Sequence, residues 1–192
     1  MNNRGSTKIT LLIVLGVLVV LGIALVSWYV GIRNKLVELN EGTKTAWSNV
    51  ENQLQRRFDL IPNLVETVKG YAGHEEKVLV EVTQARASVG GATTQSDKIA
   101  ANNNLTSALG RLMVVVEKYP DLKANTNFLA LQDELAGTEN RISVERRRYN
   151  DAARQFNTII QKIPYSFFAA GYEKAPYFEA AEGSKEAPKV KF

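Results

Sequence analysis

The sequence predicts an all-α protein in which an N-terminal transmembrane helix continues into an antiparallel bundle of about four long helices. The first observation is an apolar run over residues 9–30, and the second is a three/four spacing of apolar residues from Leu36 onward. The third is composition, because the 192 residues include only 5 Pro and 13 Gly. The predicted divisions are 1–8, a basic N-terminal segment; 9–30, the transmembrane helix; 31–178, the bundle with an aromatic C-terminal segment; and 179–192, a tail expected to be disordered.

The apolar run from Ile9 to Val30, centred near Leu18, is the predicted membrane anchor. At about 1.5 Å per residue it spans about 33 Å, which is enough to cross a hydrocarbon core of ~30 Å. Trp28 and Tyr29 lie at its far end, where an aromatic belt is expected. The alternative is a cleaved signal peptide, whose apolar region is only ~7–15 residues long and ends in a small-residue cleavage site. We therefore expect the segment to be retained.

The orientation of the anchor is nearly balanced by charge. Arg4 and Lys8 precede the apolar run, whereas Arg33, Lys35 and Lys44 follow it. A short basic N-terminus directly before the run is the layout of a signal-anchor, which exports the domain that follows. We expect this orientation, and the opposite one stays open.

Composition excludes several classes of function. The formal net charge of +4 is spread along the chain, which argues against a nucleic-acid-binding surface. Cysteine is absent, so a disulfide framework, a thiol nucleophile, a cysteine-ligated metal and lipid attachment through cysteine are excluded.

The first bundle helix should continue without a break from the membrane segment as one rod. Its apolar or small face is Leu36, Leu39, Thr43, Ala46, Trp47, Val50, Leu54 and Phe58. Pro62 lacks an N–H and disfavours helical geometry at Ile61, so a kink or a restart capped by Asp59 is expected there. Gly70 and Gly73 should end the helix.

Two further helices are predicted before the longest pattern. The second should begin at His74-Glu75-Glu76, where acids suit the helix dipole, and end at Gly90-Gly91. Its buried residues should be Val78, Val82, Ala85 and Val89. The third should be capped by Ser96 or Asp97 and end at Tyr119-Pro120. Its buried residues should be Ile99, Leu105, Leu109, Leu112 and Val116.

The fourth helix carries the clearest pattern, with alternating spacings of three and four that indicate a bundle or coiled-coil seam. The seam is Phe128, Leu131, Leu135, Thr138, Ile142, Glu145, Tyr149, Ala152, Phe156, Ile159 and Ile163. After Pro164 an aromatic-rich segment has no helical period. We therefore expect Phe178 to matter less to the core than Phe156.

Several stretches of this chain resemble the signature of the bacterial LemA family. They are Trp47-Ser48-Asn49-Val50-Glu51, Gln55-Arg56-Arg57-Phe58-Asp59-Leu60-Ile61-Pro62-Asn63-Leu64-Val65, Val68-Lys69-Gly70-Tyr71-Ala72, Glu117-Lys118-Tyr119-Pro120-Asp121-Leu122-Lys123-Ala124-Asn125 and the stretch from Glu139-Asn140-Arg141-Ile142 to Arg148-Tyr149-Asn150. The resemblance covers nearly all of residues 36–178. It implies one membrane-spanning helix, a bundle of long antiparallel helices and no established enzymatic activity.

The resemblance also bears on location and role. Some relatives belong to the magnetosome membrane machinery, and others carry a lipoprotein-type cysteine, which implies an exported domain. We therefore expect a single-pass protein of the bacterial cytoplasmic (inner) membrane with a periplasmic domain. Its expected partners are the lipid bilayer, other copies of itself and other membrane or envelope proteins, without nucleic acid. A self-associating scaffold is the first hypothesis, and an adaptor or regulator of a membrane protease or envelope-stress enzyme is the second.

The candidate site residues have structural explanations as well as functional ones. His74 is the only histidine and stands beside Glu75 and Glu76, but helix initiation explains it better than a metal site, which needs three or more ligands. No catalytic, cofactor-binding or metal-binding residue is expected. A polar set remains: Gln53, Arg57, Asp59, Asn63, Glu139, Glu145, Arg146 and Asn150. It is either a network that fixes helix register or a patch that binds a ligand or partner. Glu145, inside the seam, should be reached by an arginine or by water.

Overall fold

The structure, a computed structural model, describes residues 4–179, with side chains from Thr10 onward. Within this part of the chain there are five α-helices, one 3-10 helix and no strand. The α-helices are α1 (Arg4–Lys69), α2 (Glu76–Gly91), α3 (Gln95–Val116), α4 (Pro120–Lys123) and α5 (Thr126–Ile159), and the 3-10 helix is Tyr165–Phe168. The predicted all-α class is confirmed. The one-turn helix α4 was not predicted, and the predicted tail 179–192 lies outside the described residues except for Glu179.

Helix α1 joins the apolar segment to the bundle without interruption over 66 residues. Of the helices described here, α1 alone is long and apolar enough to cross a membrane, with a mean hydropathy of 2.9 in its apolar window. Every residue from 10 to 31 is exposed, whereas Ile32 is only 4 % exposed. The boundary between an unpacked segment and a packed one therefore falls near residue 31.

The restart predicted at Asp59 is wrong, because α1 continues helically through Pro62 to Lys69. Proline at this position removes the N–H that would bond to the carbonyl of Phe58 four residues earlier. In the fold, Arg86 of α2 replaces that donor: its Nε donates to the Phe58 carbonyl at 3.2 Å. The Arg86 guanidinium also lies 3.8 Å from the centroid of the Phe58 ring. A tertiary contact thus satisfies the group that the proline leaves free.

Helices α2 and α3 form a hairpin against the distal part of α1. The cap of α3 differs from the prediction, because Thr94 and neither Ser96 nor Asp97 is the N-cap. Thr94 Oγ1 accepts from the Asp97 amide at 3.1 Å and donates to the Asp97 carboxylate at 2.7 Å, so one residue satisfies a free amide and orients the acid. All five predicted core residues of α3 are buried. In α2, Val82 is buried as predicted, the predicted Val78, Ala85 and Val89 are only partly buried, and Leu79 is buried without having been predicted.

Helix α5 pairs antiparallel with α1 along most of its length. Trp47 contacts Tyr149 while Arg57 contacts Glu139, so the chain numbers run in opposite directions along the seam. The predicted seam ends too late, because the helix stops at Ile159 and Ile163 is 77 % exposed. Pro164 keeps Ile163 out of helical geometry, and the chain already leaves the α-helical pattern before it, because the Gln161 and Lys162 amides bond three residues back, to Thr158 and Ile159.

The core is a series of three clusters along the rod rather than one centre. The cluster furthest from the apolar segment, which we call the distal cluster, is the largest. It includes Ile61, Leu64, Val68, Leu79, Val82, Leu105, Leu112, Leu122, Phe128 and Leu135. The middle cluster includes Trp47, Val50, Leu54, Ile99, Ile142, Tyr149, Ala153 and Phe178. The cluster nearest the apolar segment includes Ile32, Leu36, Phe156 and Ile160. The bundle is therefore elongated, and packing continues up to the end of the apolar segment.

Candidate functional site

A polar cluster interrupts the seam between α1 and α5, between the distal and middle core clusters. Arg57 is only 5 % exposed, and its Nη1 lies 2.8 Å from Glu139 Oε2 on α5. The same nitrogen donates to Thr106 Oγ1 on α3 at 3.0 Å. Thr106 in turn donates to the carbonyl of Asn102 at 3.0 Å. One buried guanidinium therefore ties three helices together.

A second arginine, Arg146, also interacts electrostatically with the carboxylate of Glu139. Burial lowers the pKa of Arg57, the charge of Glu139 opposes this, and the like charge of Arg146 adds to the lowering. Burial also lowers the pKa of Arg146, again opposed by Glu139. Glu139 is thus the acid that opposes the lowering of the pKa of both arginines.

Several polar atoms in and near this cluster are buried without a hydrogen-bond partner. Among the described side chains these are Gln53 Oε1, Asn102 Oδ1, Glu139 Oε2, Glu145 Oε2, Arg146 Nε and Arg146 Nη2. Glu139 Oε2 still forms the ion pair with Arg57, but without hydrogen-bond geometry. An unsatisfied buried polar group costs about 1–3 kcal/mol, so this part of the seam is less stable than an apolar one would be.

Glu145, which lies inside the seam, is reached by an arginine, one of the two partners that the sequence predicts. Its side chain is largely buried, and Arg148 reaches one oxygen, with Nη1 donating to Oε1 at 2.6 Å. The other oxygen is one of the buried atoms without a hydrogen bond. An arginine therefore compensates the charge but leaves half of the carboxylate unpaired.

A mostly apolar cavity of about 310 Å³ opens beside the Arg57–Glu139 pair. Its walls are Arg57, Thr106, Leu109, Gly110, Met113, Gln132, Leu135, Ala136 and Glu139. This volume is at the lower end of the range for small-molecule sites. Such a wall of aliphatic groups with one ion pair suits recognition of a side chain or a small amphiphile. It does not pair a nucleophile with a base.

Not all members of the predicted polar set lie together. The structure brings Arg57, Glu139 and Arg146 together, whereas Asp59 and Asn63 are exposed on α1. Asp59 accepts from Gln55 Nε2 at 2.9 Å one helical turn away. In residues 10–179, no group of three or more histidine or acidic side chains is placed to hold a metal ion.

Asn150 belongs to a second feature, a clamp on the C-terminal segment. Its Nδ2 donates to the Phe178 carbonyl and its Oδ1 accepts from the Phe178 amide, both at 2.9 Å. Asn157, two turns further along α5, makes the same pair of bonds with Ala175, both at 2.8 Å. Tyr149 Oη adds a bond to the Pro176 carbonyl at 2.8 Å. Residues 171–179 therefore form a strap, whose backbone is held by side chains of α5.

Phe178 closes this strap onto the middle core cluster. Its ring stacks on Trp47 at 5.7 Å and meets Tyr149 edge-on at 5.7 Å. The guanidinium of Arg146 lies 4.9 Å from its centroid. Phe178 is 7 % exposed and therefore belongs to the core, although its segment has no helical period and the sequence predicts that it matters less than Phe156. The missed signal was the spacing of seven between Asn150 and Asn157 on the seam helix.

The predicted anchor residues lie at the opposite end of the fold from the cavity. Leu18, Trp28, Tyr29 and Val30 are all exposed on α1, and Ile9 lies in the same helix ahead of the described side chains. An exposed apolar helix of this length would be unstable in water. These features indicate that the segment anchors the chain in a membrane.

Comparison with known proteins places the chain in a family. A sequence profile described as the LemA family matches residues 46–192. Magnetosome protein MamQ 2 of Paramagnetospirillum magneticum is 29 % identical over 174 residues, which cover 76 % of this chain and 64 % of the relative. Magnetosome protein MamQ of Magnetospirillum gryphiswaldense is 27 % identical over 173 residues, with the same two coverages.

A relative that shares the family's name is also similar. Protein LemA of Metamycoplasma hominis is 28 % identical over 133 residues, which cover 69 % of this chain and 61 % of the relative. This chain thus spans less than two thirds of the length of the curated relatives it matches. The matched profile covers more than half of the chain, including the polar cluster and the strap. The chain belongs to the LemA family.

Proposed function

We propose that this chain is a non-enzymatic, single-pass membrane protein whose helical rod acts as a self-associating scaffold at the bacterial envelope. The observation that carries the proposal is α1, a single helix that runs from the apolar segment to the distal core cluster. Residues 32–69 alone extend about 55 Å at 1.5 Å per residue. A rigid rod fixed at one end to a bilayer holds its other end at a defined height above the membrane.

The polar groups of the seam support a structural role rather than a catalytic one. Arg57 forms an ion pair with Glu139 and donates a hydrogen bond to Thr106, and the side chains of Asn150 and Asn157 bond to the backbone of the strap. The relatives named as magnetosome proteins support a role in organising a cellular structure, and none of the relatives' names denotes an enzyme.

Self-association is assigned to the bundle rather than to the membrane segment. Gly16 and Gly22 are six residues apart, so the close-packing GxxxG spacing is missing from the apolar run. The distal part of the bundle instead exposes apolar side chains on three helices and on the turn after α1. These are Val80, Val114 and Leu129 on the helices and Tyr71 in the turn. Identical rods packed side by side in a bilayer would form a closed ring or cluster, the usual outcome for homo-oligomers.

One observation favours the alternative role as an adaptor. The cavity beside Arg57 and Glu139 is large enough to take a side chain from another protein, such as a membrane protease or an envelope-stress regulator. A scaffold requires a homo-oligomer, whereas an adaptor functions as a monomer in complex with an enzyme. The mass of the protein in a bilayer therefore distinguishes the two.

Truncation tests the anchor. The cut should leave Trp28 and Ile32 in place, because Trp28 contacts Phe168 and Ile32 belongs to the core cluster nearest the apolar segment. We expect a protein lacking residues 1–27 to remain helical and to leave the membrane fraction after a carbonate wash, while the full chain pellets. If the truncated protein still pellets, the single-anchor proposal fails.

Labelling tests the side of the membrane. Ser184→Cys provides the only thiol in a chain that has no cysteine, at a position beyond the described residues. For a periplasmic domain we expect reaction with a membrane-impermeant thiol reagent in cells whose outer membrane alone is permeabilised. Labelling that requires lysis of the inner membrane would place the domain in the cytoplasm.

A further inference from the structure

The turn that follows α5 packs against the last residues of the apolar segment. The ring of Phe168 meets Tyr29 edge-on at 5.4 Å and Trp28 edge-on at 6.2 Å. Arg33 Nη1 donates to the Phe168 carbonyl at 3.2 Å. Residues 160–171, which we call the juxtamembrane loop, therefore sit at the level of the predicted aromatic belt.

This loop exposes two large apolar side chains. Ile163 is 77 % exposed and Phe167 is 74 % exposed. Among the described residues, no other large hydrophobic side chain is as exposed, and the most exposed members of the apolar segment reach only 66 %. Val114 on α3, at 69 %, is the next most exposed, so the loop differs from the bundle surface by its position beside Trp28 and Tyr29 and not by exposure alone.

The charge around the loop suits a lipid surface. Residues 1–37 and 160–172 contain no aspartate or glutamate, although acids are frequent elsewhere in the chain. Arg33 and Lys162 supply positive charge in the same two stretches, whereas Lys35 pairs with Glu38 at 3.0 Å. Basic residues beside exposed apolar groups are the combination by which interfacial segments bind anionic bilayers.

We propose that the juxtamembrane loop is a second membrane contact, in which Ile163 and Phe167 insert among the lipids beside the anchor. The inference rests on the proposed membrane span, because Trp28 and Tyr29 set the depth at which the loop lies. A single helix leaves a domain free to tilt and rotate about its axis. A second contact at the loop that follows α5 would prevent the domain from rotating about the axis of α1. It therefore fixes which side of the bundle faces a neighbouring protein.

A lipid surface accounts for this patch better than a second copy of the chain does. Two side chains supply only a small part of the roughly 1,200 Å² that a specific protein interface buries. Continuity with Trp28 and Tyr29 and the acid-free basic surroundings both match a bilayer. Coverage by another protomer is the competing outcome that the experiment must detect.

The absence of cysteine allows a direct test on the full chain. Single variants Phe167→Cys, Ile163→Cys, Leu18→Cys and Ser107→Cys are each labelled with a small environment-sensitive fluorophore and placed in nanodiscs containing phosphatidylglycerol. Leu18 lies in the apolar segment, and Ser107 is an exposed control on α3 that is not among the apolar side chains proposed for self-association. Because Ile163, Phe167 and Ser107 are exposed, their replacement should leave the helical content and the melting temperature unchanged.

Lipids that carry a quencher near the headgroup then report contact. We expect at least twofold quenching at positions 163 and 167, quenching at position 18 by lipids whose quencher lies deep in the acyl chain, and none at position 107. Quenching at position 18 with positions 163 and 167 as unaffected as position 107 would overturn the second contact and leave the anchor standing. Blue-shifted emission at 163 and 167 without quenching would mean that protein covers the loop, which also overturns it. No quenching at Leu18 would refute the anchor and the loop contact together.

Discussion

For Phe178→Ala the structure predicts a larger effect than the sequence does, because the sequence places the residue in a weakly patterned segment. The ring is almost fully buried, stacked on Trp47 and edge-on to Tyr149. Burial of a phenylalanine side chain stabilises by about 1.5–3 kcal/mol. Each aromatic pair adds about 0.5–1.5 kcal/mol. We therefore expect a loss of about 3–5 kcal/mol, the range usual for Phe→Ala in a core.

The strap sets an upper limit to this loss. Residues 171–179 are held by Asn150 and Asn157, so a weakened strap can detach while the helices stay folded. The cost cannot exceed the free energy with which the strap docks. Detachment would expose Tyr149 and Trp47 and would leave the side-chain amides of both asparagines without the backbone partners they have here.

The assay is thermal unfolding in mild detergent, followed by circular dichroism, with hydrogen exchange at the Ala175 and Phe178 amides. A loss of 3–5 kcal/mol corresponds to a fall in melting temperature of roughly 6–20 °C for a chain of this size. Tyr177→Ala is the matched control, because Tyr177 is the exposed neighbour on the same strap. It should lower stability by less than about 1 kcal/mol. Equal melting temperatures for the two variants would refute the packing role of Phe178.

Three further predictions follow from the same contacts. Arg86→Ala should lower the free energy of unfolding in urea by about 1–3 kcal/mol, because the Phe58 carbonyl loses its donor, and an unchanged midpoint would show that the contact at Pro62 is dispensable. Glu139→Gln should lower the free energy of unfolding by an amount toward the lower end of about 3–5 kcal/mol. The substitution leaves the buried Arg57 without its ion pair, but the Glu139 side chain is 43 % exposed, which reduces the loss. Glu134→Gln, in the exposed pair with Arg56, should cost less than about 1 kcal/mol, and equal losses would contradict the reasoning. Burial, with a smaller contribution from Tyr177, raises the pKa of Tyr149 to about 12. The unfolded tyrosine loses its proton near pH 10 while the folded one keeps it, so the free energy of unfolding should fall by about 1.4 kcal/mol per pH unit between pH 10 and 12. Tyr149→Phe should show a smaller fall over that range in urea titrations, and an identical slope would contradict the assignment.

The elements that the sequence predicts well are those fixed by local periodicity. The apolar run and the seam of α5 each repeat one pattern over many residues, so single errors do not change the assignment. Phe128, Leu135, Ile142, Tyr149 and Phe156 are all buried as the spacing predicts. The seam was carried too far only at Ile163, although the following proline marks a helix end.

The features that escaped prediction depend on contacts between residues far apart in sequence. A restart at Pro62 is the local expectation, but Arg86, from another helix, stabilises the continuous rod. The strap has no periodicity, and its order comes from Asn150 and Asn157. The same holds for the polar cluster, where Thr106 joins Arg57 although no pattern singles it out.

The mass of the full-length protein in nanodiscs or mild detergent tests the scaffold most directly. Rods that associate through the bundle should give a discrete homo-oligomer at micromolar concentration, together with a cross-linked ladder in native membranes. The complex should persist when the apolar segment is replaced by an unrelated membrane helix. A strict monomer in the bilayer, with no ladder in native membranes, would contradict the scaffold and leave the adaptor role.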